Sequence, residues 1–491
     1  MKKLVLTFCM ALTAALSLNA SYHLFYGTTT GTAFGNTETS NEGGVTLESN
    51  GNGIDTLNFI NLPFGINCIT FYGVHSATSG NITVYSAERD IDLGSLGTHR
   101  TFVFARSTGE YMTSIMTIPS LDIIYTFNNV YDHFQLPNSD MESWTNSNGE
   151  PDRWHGFKTA TGGLAGLSPA LLEQSDNVHN GSTGQYSAVV TAKSAFISIA
   201  NGTMTNGRLN AASTSATSYD NHASMDASYG DDYYMPLYAK PDKFNVWLKC
   251  TNSNANHQAN VSVKTFDGTY YQEPSGTTYT NLSGSIVGGQ ISNCDWTFFS
   301  FPFDYESYAA NNAASNAIFV TFSTNATPGQ GSSSDKLYID EMQLVYLGEM
   351  TDLRYQGATI EGWDPAVTEY SIEVTSAPSL DDFTADIVGA SAVLTKSMEQ
   401  NEDGSYRIAI SVVSGDLQTA TCYVITATVA SPVLRGDVDG NGQINVTDVT
   451  QLISFLMNSG NSINEQNADM DGNGQLNVTD VTLLISLCMS N

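Results

Sequence analysis

Carboxylates and amides recur near the carboxyl end of this chain at a spacing that can cage a hard cation. Residues 437–457 read DVDGNGQINVTDVTQLISFLM, and residues 469–489 read DMDGNGQLNVTDVTLLISLCM. The copies stand 32 positions apart and differ at five places: Val438/Met470, Ile444/Leu476, Gln451/Leu483, Phe455/Leu487 and Leu456/Cys488. In the first copy Asp437, Asp439, Asn441 and Asp448 offer side-chain oxygens, and Gln443 offers its backbone carbonyl. In the second, Asp469, Asp471, Asn473 and Asp480 do the same, with the carbonyl of Gln475. Such alternate residues converge because the backbone winds round one point. Gly442 and Gly474 stand where the sharp turn needs left-handed backbone. A set of roughly six to eight oxygens at about 2.3–2.6 Å suits calcium, whereas magnesium demands a tighter octahedron. One calcium per copy, two in all, is the expectation. Three carboxylates aimed at one point repel each other without a cation, so the segment should order poorly without metal.

A helix should follow each loop. Leu452, Ile453, Phe455 and Leu456 form one candidate apolar face, and Leu484, Ile485, Leu487 and Cys488 the other. No helix-forming pattern leads into either loop, so each copy is half of an EF-hand-like unit. On these motifs residues 436–491 resemble a type I dockerin, within a module spanning 434–491. The resemblance implies two bound calcium ions and docking to a cohesin-like module on a scaffold or cell surface. It also implies a partner-recognition pair at loop positions 10 and 11, here Val446-Thr447 and Val478-Thr479. Ser454 and Ser486 stand where the family often carries basic residues, a departure from its pattern. The alternative partner is intramolecular, with the duplicated unit capping the preceding β-sandwich.

The elements that carry this tail must be mostly β. The chain has 491 residues, and 41% are hydrophobic. At about 150 residues per domain that length suggests three or more domains. Acidic residues number 49 against 18 basic, a net charge of −31. Nucleic acids and anionic membrane surfaces need a basic footprint, so both are excluded as partners. Residues 1–20 read as a secretory signal peptide: Lys2 and Lys3, then a short apolar run, then small residues. Secretion or display at the cell surface follows, and no later stretch is apolar enough to span a bilayer. The five remaining cysteines are scattered. A Cys250–Cys294 bridge and buried free thiols are the two readings left open.

Short period-two strand patterns broken by Gly and Asn fill residues 21–430. The fold class expected is therefore a multidomain β-sandwich and jelly-roll array ending in a small α-helical calcium-binding module. Residues 21–130 form a β-rich N-terminal domain, in which 56–73 resembles calycin-like β-domains of secreted Bacteroidetes proteins. Residues 131–348 form a jelly roll and 349–430 an immunoglobulin-like sandwich, with Ser431-Pro432 as linker. The segment 131–348 resembles the "putative carbohydrate metabolism domain" of secreted Bacteroidetes proteins. That resemblance rests on Asn138 to Trp144, Trp154, Gly202 to Gly207, Pro241 to Lys249 and Gly331 to Glu341. It implies a jelly roll similar to carbohydrate-binding modules. Glu142 and Asp340 are candidate ligands of a third, structural calcium, as in similar jelly rolls.

A sugar binder needs aromatic faces beside hydrogen-bonding groups. Trp144, Trp154, Tyr233 and Tyr234 lie in or beside polar, Gly-rich stretches and are the candidates, with Tyr233-Tyr234 as an exposed platform. Trp247 and Trp296 sit inside strand patterns and are expected in the core. No catalytic motif stands out, and His155 beside Trp154 reads as structural. The function expected is a secreted, glycan-associated binding protein of polysaccharide utilisation with a calcium-dependent docking tail. The alternatives are a polysaccharide-degrading glycoside hydrolase anchored by that tail, needing two facing carboxylates, and a structural or adhesion protein.

Overall fold

The computed structural model describes residues 21–49, 54–66, 68–79, 82–107, 111–121, 123–129, 134–167, 169, 171–195, 198–254, 256–430, 434–458 and 461–490. The signal peptide at 1–20 and the linker at 431–432 lie outside them. Runs rich in Thr, Val and aromatic residues become strands, as their pleat-filling shapes favour. The chain forms two compact units. The larger runs up to Thr368 and adds Asp381–Ser397 and Ala409–Val424; the smaller comprises Glu369–Leu380, Met398–Ile408 and Ile425–Asn491.

The larger unit begins with a nine-stranded antiparallel sheet. Strands follow their chain neighbours, and the first, Ser21–Ala33, pairs with the last, Ile123–Asn128, with Thr30 opposite Thr126. The sheet curls round a core that includes Val45, Leu57, Phe59, Phe71, Met116, Tyr125 and Phe127. Strand Met112–Ile118 is buried at every residue rather than at alternate ones. Its second face is also covered: Phe102, Phe104 and Ile115 pack on Ala409, Val413, Leu417 and Cys422. A strand covered on both sides loses the apolar–polar alternation.

A second, ten-stranded sheet folds over on itself between Leu172 and Val345. One half holds Lys243–Thr251, Cys294–Asp304 and Lys336–Val345; the other holds Ala259–Phe266, Leu282–Ile286 and Ala317–Ser323. Phe244, Val246 and Leu248 join Val261, Val263, Val320 and Phe322 in one core cluster. Burial alternates strictly along Lys243–Thr251, and Trp247 falls on the outward phase. The expectation of a core position for Trp247 and Trp296 is therefore corrected: both are half-buried. His179 stacks on Trp247 at 4.1 Å, and the Trp296 indole N–H donates to Asn177 Oδ1 at 3.1 Å. Cys250 and Cys294 stand opposite each other across neighbouring strands as free thiols, which leaves the free-thiol reading. Burial pushes the Cys250 thiol up to about 11.

The smaller unit ends in three helices: α1 (Val446–Leu456), α2 (Glu465–Ala468) and α3 (Val478–Ser490). Their common core is Val438, Val449, Leu452, Ala468, Val481 and Leu484. Six buried apolar side chains are too few to hold such a segment without further fastening. The inward stripes are Val449–Leu452–Leu456 and Val481–Leu484–Cys488, whereas Ile453 and Ile485 face solvent. That corrects the apolar faces expected from sequence. The one-turn helix α2, capped by the Asn464 side chain, also enters the second loop where none was expected.

Candidate metal centre

Both loops wind as their ligand spacing requires. Gly442 and Gly474 adopt φ of 80° and 77°, a left-handed backbone that a Cβ would strain. In the first loop, Asp448 is fully buried at the start of α1. Its Oδ1 accepts the N–H groups of Val438 (2.8 Å) and Asp439 (3.1 Å), and its Oδ2 that of Asn445 (2.8 Å). Asn445 caps the same helix by accepting the Thr447 N–H at 2.8 Å. The helix terminus thus fixes the last carboxylate of the cluster, and its dipole favours negative charge there. Asp439 Oδ1 accepts from Asn441 N–H at 3.1 Å, and Asn441 Oδ1 from Gln443 N–H at 2.8 Å. Asp437 Oδ2 accepts from Gly442 N–H at 2.9 Å, but its Oδ1 is buried with no hydrogen-bond partner.

Asp437, Asp439 and Asp448 bring carboxylate oxygens within 4.8 Å of one another. Like charges that close repel by roughly 3–4 kcal/mol per pair at an effective dielectric of about 20. An oxygen-seeking divalent cation removes that repulsion and gives the unpartnered Asp437 oxygen its missing neighbour. With no Cys or His in the cluster, the donor set suits calcium rather than zinc.

The second loop repeats the arrangement through Asp469, Asp471 and Asp480. Asp480 accepts from Met470 N–H (2.9 Å) and Asn477 N–H (2.9 Å), as Asp448 does in the first copy. Asp471 Oδ2 accepts from the Asn473 amide at 2.8 Å, and the Asn473 Oδ1 accepts from Gln475 N–H at 2.8 Å. Asp469 differs from its counterpart because both its oxygens are engaged, Oδ1 by Gly472 N–H (2.9 Å) and Oδ2 by Gly474 N–H (2.8 Å). Those backbone donors, Gly474 first, hold its carboxyl below the usual range.

Two participants were not legible. Asn467 donates from Nδ2 to the Asp437 carbonyl at 2.9 Å, while its own carbonyl accepts the Gly436 N–H at 2.8 Å. Arg435 reaches the Met470 carbonyl at 3.4 Å. Neither residue belongs to the repeat, so spacing gave no signal for them. The recognition pairs Val446-Thr447 and Val478-Thr479 are all exposed, the two valines at 70% and 74%.

The aromatic candidates of the large sheet fare differently. Trp154 is fully buried, donates its indole N–H to the Pro137 carbonyl at 3.0 Å and lies 6.3 Å from Phe322. A ring with no exposed face cannot stack on sugar, so Trp154 is withdrawn as a glycan contact. Tyr233 and Tyr234 are half-buried rather than an exposed platform. The Tyr233 ring stacks on His155 at 4.2 Å and carries the Arg208 guanidinium at 4.3 Å. His155 itself is buried with Nε2 2.6 Å from the Asp232 carbonyl, a structural position. Trp144 is half-buried beside Asp140, Glu142 and Asp152 in an open polar depression. Glu142 Oε1 accepts the N–H groups of Gln185 and Tyr186, each at 2.8 Å. Asp340 Oδ2 is buried without a partner, and burial pushes its carboxyl up to about 7. Among the described residues, Glu142 and Asp340 do not complete a group of three acidic or histidine ligands; the two loops do.

Residues 435–487 match the family model described as the dockerin type I domain. Dockerin domains bind calcium, and the match covers both acidic clusters. The segment is thus a calcium-binding docking module. No curated protein matches the chain. Among solved structures it is similar to a "putative glycoside hydrolase" from Bacteroides thetaiotaomicron VPI-5482, at 12% identity and a TM-score of 0.33. That alignment covers 60% of this chain and 86% of the other. So loose a likeness carries no argument. No helix among the described residues is long and apolar enough to cross a membrane.

Proposed function

We propose that this is a secreted, non-catalytic glycan-binding protein of polysaccharide utilisation, with a tail that docks it to a cohesin-like partner once two calcium ions are bound. The observation that supports the tail's role is the buried, unpartnered Asp437 oxygen inside a three-carboxylate cluster, repeated in outline by Asp469, Asp471 and Asp480. The first ion takes Asp437, Asp439, Asn441, the Gln443 carbonyl and Asp448; the second takes Asp469, Asp471, Asn473, the Gln475 carbonyl and Asp480. Val446, Thr447, Val478 and Thr479 make the partner contact, being exposed side chains at the start of the two ion-ordered helices. The resemblance of 131–348 to a carbohydrate-metabolism domain supports a glycan as the ligand of the β-rich body.

Calorimetric titration of the chelator-stripped full chain with calcium should give two equivalents, and Asp437→Ala with Asp469→Ala should remove both. A third equivalent, abolished by Asp340→Asn, would place the additional ion at Glu142 and Asp340. Retention of two equivalents by the double variant overturns the ligand assignment. A type I cohesin module serves as partner probe, and Val446→Arg with Val478→Arg should end its capture while leaving calcium uptake intact. If no cohesin binds and the same pair instead lowers the melting temperature of the body, the docking surface is intramolecular.

A further inference from the structure

The larger unit contains a groove of about 860 Å³. Its floor is the outward face of two paired strands. Val261, Val263, Val320 and Phe322 take the inward phase there, which leaves Asn260, Ser262, Lys264, Thr321 and Ser323 on the groove side, with Ser262 opposite Thr321 and Asn260 opposite Ser323. Leu164, Leu167, Ile199 and Ile286 supply apolar walls. The size lies within the range of natural ligand sites, roughly 300–1,000 Å³.

Three lining side chains carry a buried polar atom without a hydrogen-bond partner: Asn201 Oδ1, Glu273 Oε1 and Thr321 Oγ1. Buried polar atoms are seldom left unpaired; these three are closed to solvent, so a ligand in the groove meets them when their side chains turn toward it. Two of them are held in place by their neighbours. Asn201 Nδ2 donates to Ser323 Oγ at 3.2 Å and to the Asn325 carbonyl at 3.1 Å. Glu273 Oε2 accepts from Ser262 Oγ at 3.0 Å, which aims Oε1 elsewhere. Two of the three are acceptors only, and the third is a hydroxyl that can donate or accept. The complementary ligand is therefore rich in O–H groups. It is also uncharged: Lys264 lies 3.6 Å from Glu273 and is neutralised by it, and the chain's charge of −31 repels polyanions. Aliphatic walls match the C–H edges of such a ligand; Phe157, an aromatic ring in the lining, is half-buried against the core, and the floor residues are not aromatic.

We propose that this groove binds one strand of a neutral, soluble polysaccharide through hydroxyl and amide contacts rather than by aromatic stacking. The proposal rests on the glycan half of the function proposed above and not on the docking half. The test is calorimetry of the full chain against cello-, xylo-, manno- and laminari-hexaose, in calcium and again in chelator. Binding of at least one hexaose should be equal in both buffers and should weaken about five- to tenfold with Thr321→Val and with Ser262→Ala, the scale of one hydrogen bond each. Phe298→Ser, on an exposed ring outside the groove lining, should leave it unchanged. The pair of hydroxyl deletions keeps the test interpretable if one variant folds poorly. The groove assignment is overturned if no hexaose binds, if binding survives both deletions, or if only an oligogalacturonate binds. Calcium uptake and cohesin capture stay separately measurable, so failure here does not disturb the docking reading.

Discussion

The two calcium loops share nearly all their residues yet do not stand in the same condition. Asp437 is buried with one oxygen unpaired, whereas both oxygens of Asp469 accept backbone N–H groups and its carboxyl is held below its ordinary value. Backbone donors meet both oxygens of Asp469 in the second loop but only one oxygen of Asp437 in the first. Identical spacing therefore sets which carboxylates converge, while the two loops differ in how fully their first carboxylate is hydrogen-bonded.

The largest expected contrast is in chelator. Amide exchange across 437–456 should accelerate about tenfold or more beyond that across 469–490, since one unpaired buried acceptor is worth about 1–3 kcal/mol. Equal acceleration would break the contrast. Next in size, Asn445→Ala and Asn477→Ala each remove a helix cap, to Thr447 N–H at 2.8 Å and Thr479 N–H at 2.7 Å. Both should destabilise the module by about 1 kcal/mol, and equally, because the caps are alike in the two copies. A marked inequality would mean that the loops differ in more than the burial of their first ligand. The smallest effect is on pH. The Asp469 carboxyl is lowered in the folded loop, so its contribution is in force above the usual value of 3.8 and fades as pH falls through the lower folded one. In chelator the Gly474 amide should keep its exchange protection at pH 5 and lose it in stronger acid; Asp469→Asn should abolish that dependence.

The two acidic clusters were legible because their carboxylates lie within twelve consecutive positions and the chain repeats them. The β-rich character was legible for the same local reason. Strand phase was not: Trp247 stands one residue out of step with Val246 and Leu248, and only pairing with strands far along the chain decides which set turns inward. Trp154 lies in a turn, and its burial depends on Phe322, distant in sequence. The groove floor was hidden likewise, since Ser262 and Thr321 become neighbours through strand register alone. The Asn464 cap of α2 was a readable local signal that the pattern of the repeat obscured.

The Asn467 clamp gives the tail a mechanical character of its own. One amide grips the carbonyl of Asp437 just before the chain enters the second loop, so the two loops share one strut. The first loop therefore takes part of its shape from a side chain that stands at the approach to the second.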